Sequence, residues 1–254
     1  MRKRTNKNSC IEFHNSYLIV ALGFILTGSI LNLIIFTTLI LFHELGHFLT
    51  AKILKVEVKK ITIYPFGGIT KLNSIINLDI KKELLISTSG IIMQFIFYTI
   101  ITNLFPLRNY TKELYTLYNS QIIFFNLMPI YPLDGSKIIS LLLCIVVPFR
   151  ISNIITIITS IITILFLLYL NIYTMNYSNI MIYILLTTYT IKLYQKRKYI
   201  YNKFLLERYL YNIKFDVIKI IKNNNNMYKN RTHIIKKKNI IISETDALKQ
   251  IFTK

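Results

Sequence analysis

The chain has 254 residues, of which 53% are hydrophobic and only 17% charged, with a formal net charge of +20. Soluble domains carry about 25% charged residues, so this balance excludes an ordinary soluble globular domain and points to a polytopic membrane protein. The basic excess is not read as a nucleic-acid surface, because no recognition motif or stacking-aromatic pattern accompanies it; cationic flanks beside apolar runs mark cytosolic span ends and suit the anionic headgroups of a lipid bilayer.

Arg2, Lys3, Arg4 and Lys7 precede a first apolar run at 13–28. No small-x-small cleavage site follows and a second run, 29–51, begins at once, so the first reads as a retained anchor. Within the second run stands His43-Glu44-Leu45-Gly46-His47. Ionisable side chains in a hydrocarbon core cost roughly 2.5–3.5 kcal/mol each on insertion scales, and a chain seldom carries them there without a use. The segment 52–82 is rich in Lys and ends an apolar stretch with Tyr64-Pro65-Phe66-Gly67-Gly68. That stretch is a poor helix; it is either a cytosolic turn or a strand or re-entrant loop lining a site.

Further apolar segments fall at 84–105, 118–147, 151–170 and 178–193, separated by a sparsely charged loop at 106–117 and an uncharged one at 171–177. Sixteen of the 31 Lys and Arg lie from Lys192 onward, which places the C-terminus in the cytosol together with the N-terminus and the 52–82 loop. The expected fold is an all-α polytopic membrane protein of about six transmembrane helices, with a short re-entrant or strand segment and a small α+β cytosolic tail. Residues 1–198 would form the membrane core and 199–254 the tail. In the tail, Asp216 to Lys222 reads as helix, 232–235 and 239–242 as short strands, and Glu244 to Phe252 as helix. Cys10 and Cys144 form no CxxC pair and suggest no disulfide framework.

His43 and His47, four residues apart, share one helix face and can occupy two corners of a zinc tetrahedron. Glu44 is turned aside, placed to accept a proton from water and pass it to a leaving amine. Such a site wants a third protein ligand. Of the 11 acidic residues, only Glu44 and Asp134 lie well inside expected spans. Asp134 follows Pro129 and Pro132 and precedes Gly135, in a segment where the helix must break and expose backbone groups. Alone it would read as a cap for a helix restarting at Ser136; beside a two-His motif lacking one ligand, coordination is the preferred reading. A zinc-binding transporter or sensor could use the same His43, His47 and Asp134, but would not need Glu44, and the chain shows no internal repeat.

HELGH in an early span, joined to a later Asn126…Pro132-Leu133-Asp134-Gly135 segment, resembles the site-2 protease family of intramembrane zinc metalloproteases over most of 15–195. The resemblance implies Zn2+ held by His43, His47 and Asp134, Glu44 as catalytic base, and Asn126 holding substrate or steadying an oxyanion; an interhelical hydrogen bond is the plainer role for Asn126. Pro65, Phe66, Gly67 and Gly68 would pair with an extended substrate. A small-Gly-Pro-x-x-Asn signature is degraded to Ser89-Gly90-Ile91-Ile92-Met93-Gln94, where Gln94 could replace the amide. There is no room for an inserted PDZ domain. The tail resembles the closing half of a CBS module, which implies ATP as a regulatory ligand; a plain basic tail on the membrane surface is the alternative. Together these features look like the family branch acting in bacterial endospore formation. That likeness implies a membrane-associated sigma-factor precursor, pro-sigma-K, as substrate, inhibitory membrane partner proteins, residence in the mother-cell membrane around the forespore, and room for a homo-oligomer. Another membrane-bound regulator could equally be the substrate.

Overall fold

The computed structural model describes residues 10–64, 67–72, 76–174, 180–237 and 240–253, so Pro65 and Phe66 lie outside the described residues. The chain divides into two compact units, residues 1–74 with 85–128 and residues 75–84 with 129–254.

In the first unit a short strand β1 (Cys10–Phe13) leads into helix α1 (Asn15–Leu26) and then α2 (Ile30–Ile53). His14 accepts a hydrogen bond from the Ser16 N–H and so caps α1. Gly28, at φ 68°, closes the same helix, with the Gly28 N–H bonded to Ile25 and the Ser29 N–H to Phe24; the left-handed backbone needed for that reversal is why glycine stands there. Strands β2 (Val58–Tyr64) and β3 (Gly67–Leu72) pair antiparallel, and β1 joins β2 in parallel, giving the order β1-β2-β3. Helices α3 (Ile80–Leu104) and α4 (Asn109–Leu127) follow. Helix α4 starts well before residue 118, because Leu114, Tyr115, Tyr118 and Ile122 recur at helical spacing and pack with Tyr17, Ile35 and Leu39 in one apolar cluster. The expected loop at 106–117 therefore shrinks to 105–108.

The second unit holds the first turn of α3, then α5 (Asp134–Val146), α6 (Phe149–Thr174) and α7 (Ile180–Tyr211). The predicted break before Asp134 is present. Its freed backbone groups find partners within the unit: the Tyr131 N–H donates to Ser160 Oγ at 3.0 Å, and the Ser160 hydroxyl proton, bonded to the Thr156 carbonyl at 2.7 Å, is shared with the Pro129 carbonyl at 3.3 Å. The C-terminal segment builds β4 (Ile218–Ile221), a single 3-10 turn at 224–226, β5 (Thr232–Lys237), β6 (Ile240–Ser243) and α8 (Glu244–Phe252), with sheet order β4-β5-β6. The helix expected at Asp216 to Lys222 is corrected to a strand. Its β-branched Val217, Ile218, Ile220 and Ile221 suit a pleated surface, and the segment gains a parallel partner in β5, from Ile218 opposite Thr232 to Ile221 opposite Ile235. Ile221, Ile235, Ala247 and Leu248 are buried with Phe204, Tyr201 and Leu141 in the core of this unit.

The expected all-α core is corrected in one respect: besides the strands expected in the tail, β1, β2 and β3 form a three-stranded sheet in the first unit, where only a short strand or re-entrant segment was expected. Among the described residues, three helical stretches are long and apolar enough to cross a membrane, Ile30–Ile53, Ile80–Leu104 and Phe149–Asn171. At 1.5 Å per residue each is roughly 35 Å long, against about 30 Å of hydrocarbon.

Candidate metal centre

Helix α2 carries His43, Glu44 and His47, all buried, and the structure brings one ligand atom of each within 4.8 Å of the others. The two imidazoles face each other through their Nε2 atoms, 3.2 Å apart. What fixes them there is the other ring nitrogen. His43 Nδ1 lies 3.0 Å from Gln94 Oε1, and His47 Nδ1 lies 2.6 Å from the Ile86 carbonyl, both on α3. The Gln94 amide is oriented by its own donors: Nε2–H bonds Asn119 Oδ1 at 2.9 Å and the Asn119 carbonyl at 3.2 Å, which leaves Oε1 for His43. With oxygen acceptors at both Nδ1 atoms, each ring can keep its proton on Nδ1 and turn an Nε2 lone pair to the centre. Two lone pairs at that separation repel unless a cation lies between them, and an imidazole anchored through its outer nitrogen is the usual arrangement of a metal-binding His.

Glycines open the space around this centre. A Cβ on Gly90 would fall 2.4 Å from His47 Nε2 and 2.8 Å from His43 Nε2, so any side chain there would fill the ground that the imidazoles face. A Cβ on Gly46 would fall 2.4 Å from the Ser89 carbonyl, so this residue lets α2 and α3 cross closely. Glu44 is held from the other side. Thr70 Oγ1–H on β3 donates to Glu44 Oε2 at 2.6 Å, while Oε1 is buried with no hydrogen-bond partner among the described residues. An orphaned carboxylate oxygen at a buried site is costly unless a cation or a reacting proton answers it. The paired Nε2 atoms, the glycine-walled space and the orphaned oxygen all fit a zinc ion and its catalytic base.

Gly68 adjoins Glu44 so closely that a Cβ would overlap the carboxylate carbon, and Gly67, at φ 143°, begins β3 beside the amide of Asn126. Asn126, on α4 and buried, donates from Nδ2 to the Ile122 carbonyl at 3.1 Å. The structure thus gathers His43, Glu44, His47, Gly67, Gly68 and Asn126 within one unit. Asp134 belongs to the other unit, where it opens α5, is buried, and bonds through Oδ1 to Lys137 Nζ at 3.0 Å. Two members of the site escaped the sequence reading: Thr70 and Asn119. A Thr two residues beyond a Gly-Gly pair in an extended segment is the only local sign that Thr70 shares the face of Gly68; Asn119 had none.

Gln94→Leu removes the acceptor that orients His43. Loss of such outer partners commonly lowers metal affinity by about 10–100-fold. Competition against a chelator of known affinity should show a fall of that order, with the helical circular-dichroism signal unchanged.

A family model, peptidase family M50, matches residues 31–112. Over 204 residues the chain is 33% identical to stage IV sporulation protein FB of Bacillus subtilis, covering 76% of this chain and 68% of that protein. A zinc metalloprotease of Methanocaldococcus jannaschii is also 33% identical, over 152 residues that cover 52% of this chain and 42% of the relative. The solved site-2 protease of the same archaeon superposes with a TM-score of 0.58 at 26% identity, over 72% of this chain and 89% of that one. The HELGH helix lies inside the matched segment, and the chain belongs to peptidase family M50, the intramembrane zinc metalloproteases of site-2 type.

Proposed function

We propose that the chain cleaves a membrane-associated sigma-factor precursor of the pro-sigma-K type during endospore formation. The similarity to stage IV sporulation protein FB supports this reading. The single observation that carries the chemistry is the trio on α2, with two anchored imidazoles facing one another and, beside them, a carboxylate oxygen with no hydrogen-bond partner among the described residues.

His43 and His47, with Asp134 as the proposed third ligand, would hold a zinc ion, which would supply a Lewis acid and lower the pKa of water towards ~7. Every other part is played by the chain. Glu44 Oε1, without a donor among the described residues, takes the proton of the attacking water and returns it to the leaving amine. Thr70 keeps the Glu44 carboxylate from rotating away. Asn126 presents an amide toward the developing oxyanion. Strand β3 ends the sheet, so its outer edge can pair with an extended substrate and hold a peptide bond that a helix would shield. Gly67 and Gly68 let that substrate backbone approach; Pro65 and Phe66 complete the proposed strand-pairing segment.

In this reading α1, α4 with α5, and the apolar part of α7 complete about six crossings, both termini are cytosolic, 199–254 is a cytosolic tail, and the chain resides in the mother-cell membrane around the forespore. Inhibitory membrane proteins and self-association belong to the same proposal. Nothing among the described residues of the tail assigns an adenine-nucleotide site, and none is proposed.

The test is co-expression of the full chain with a candidate precursor, reading release of the shortened factor, alongside zinc analysis of purified Asp134→Asn. Processing that requires His43 and His47, with zinc lost or at least tenfold weaker in Asp134→Asn, supports the assignment. Full zinc retention in Asp134→Asn removes Asp134 from the ligand set, and an intact precursor beside an enzyme that cleaves other membrane substrates removes the sigma-factor assignment.

A further inference from the structure

In the second unit, α6 and α7 share a face whose character changes abruptly along its length. Ile157, Ile161 and Leu165 on α6 and Thr187, Ile191 and Tyr194 on α7 line an apolar groove of about 360 Å³. One turn further towards the start of α6 and the basic part of α7, the same two helices line a second cavity, of about 250 Å³. This one is built from Arg150, Asn153, Arg197, Lys198 and Asn202, with Asn225 from the 3-10 turn. The lining residues fall at helical spacing, 150, 153/154, 157, 161 and 165 on one helix and 187, 191, 194, 197/198 and 201/202 on the other. Groove and pocket are therefore consecutive parts of one continuous face.

No carboxylate lines the basic pocket, and none of its three cations has an ion-pair partner among the described residues. Arg197 is nonetheless held in place. Its Nη1–H donates to the Tyr194 carbonyl at 2.8 Å, and its guanidinium carbon lies 3.7 Å from the centre of the Tyr194 ring, where pocket and groove meet. The opening turn of α6 adds the positive end of that helix to the same wall. Three cations and three side-chain amides around one small cavity match the oxygens of a phosphate group. The groove that continues from it is aliphatic over roughly 16 Å of helix between Ile157 and Leu168, and it lies on a stretch long and apolar enough to cross a membrane.

We propose that this face is a binding site for an anionic phospholipid, with the phosphate and headgroup among Arg150, Arg197 and Lys198 and an acyl chain along the α6–α7 groove. A soluble phosphate or nucleotide would use the pocket and leave the groove unexplained; a neutral lipid would use the groove and leave the uncompensated cations unexplained. Charge complementarity at one end and apolarity at the other select a single amphipathic anion. The site is independent of the metal centre and of the substrate assignment.

The experiment is native mass spectrometry of the full chain in detergent, titrated with phosphatidylglycerol, phosphatidylcholine and inorganic phosphate. The expected result is one retained phosphatidylglycerol, bound at least tenfold more tightly than phosphatidylcholine. The R150Q/R197Q/K198Q variant should bring the two lipids to equal affinity, while R150K/R197K keeps the preference. Ile161→Trp, which fills the groove, should weaken both lipids. Equal retention of both lipids by the unaltered chain would overturn the proposal, as would an undiminished preference in the triple variant. So would millimolar phosphate displacing phosphatidylglycerol while Ile161→Trp leaves its binding untouched, since that pattern describes a soluble-phosphate pocket. Thermal unfolding of each lipid-free variant at the parental temperature guards against a general loss of fold.

Discussion

Glu44→Gln should reduce peptide-bond cleavage by about 10²–10⁴-fold, the usual contribution of a positioned general base, while leaving zinc bound. The substitution is nearly isosteric. The amide oxygen of Gln can still accept from Thr70 Oγ1, which lies 2.6 Å from Glu44 Oε2, and the space opened by Gly68 admits the new side chain as it admits the old. His43 and His47 keep their α3 partners, Gln94 and the Ile86 carbonyl, so the metal-binding face is undisturbed. What disappears is the proton acceptor at Oε1, the buried oxygen without a hydrogen-bond partner among the described residues. Single-turnover cleavage and metal content measured on the same preparation decide the matter. If zinc leaves with activity, Glu44 is a ligand rather than a base; if both persist, another group takes the proton.

That trio could be read from the sequence because its information is local. The i, i+4 spacing of two His on a helix fixes their common face before any tertiary contact forms, and the apolar setting makes the charge conspicuous. The break before Asp134 was legible for the same reason, since Pro129 and Pro132 exclude continuous helix whatever surrounds them. What holds the imidazoles was not legible. Gln94 lies 51 positions from His43, and Asn119 another 25 beyond it, so only the packing of α2, α3 and α4 reveals that chain of amides. The strand at Ile218–Ile221 is not legible locally because Lys219 and Lys222, three residues apart among Val and Ile, suit an amphipathic helix as well as a strand, and the deciding partner, β5, arrives only ten residues later. Arg208 shows the limit most plainly. It is one of the sixteen cations from Lys192 onward, and nothing in its neighbourhood distinguishes it, or Lys229, as a cation that folds inward.

Arg208→Met should destabilise the C-terminal sheet by about 3–5 kcal/mol, because it strands a buried carboxylate and several carbonyls rather than removing a surface charge. The guanidinium is fully buried. It pairs with Glu244 Oε1 at 2.7 Å and donates further to Asn77 Oδ1 and to the carbonyls of Tyr228, Lys229 and Arg231, while its flat face lies near the rings of Phe204 and Phe215. Glu244 Oε2 in turn accepts from the His233 N–H and from His233 Nδ1–H, and His233 Nε2 accepts from the Tyr228 N–H, so the ring is neutral. Burial pushes the Glu244 carboxyl up, but the His233 hydrogen bond and the Arg208 charge outweigh it and hold the group below its ordinary value. Burial pushes His233 below its ordinary value, more than the Glu244 carboxylate restores. Both shifts have the same sign for stability. The unfolded chain binds more protons than the folded one, so the His233 contribution is complete above its ordinary pKa of about 6.5 and declines below it, and the Glu244 contribution follows as pH falls through its depressed folded value. Hydrogen exchange of the β5 amides in the full chain, followed from pH 7.5 to 5, should therefore report more frequent opening at the acid end, after correction for the intrinsic exchange rate. In Arg208→Met the amides should exchange faster by about two to four orders of magnitude at every pH, and R208M/E244L should recover part of that loss because the stranded carboxylate is gone with its partner. Protection in Arg208→Met equal to that of the parent would mean that the sheet stands without this cation, and the inward turn of Arg208 would then be a consequence of the fold rather than one of its causes.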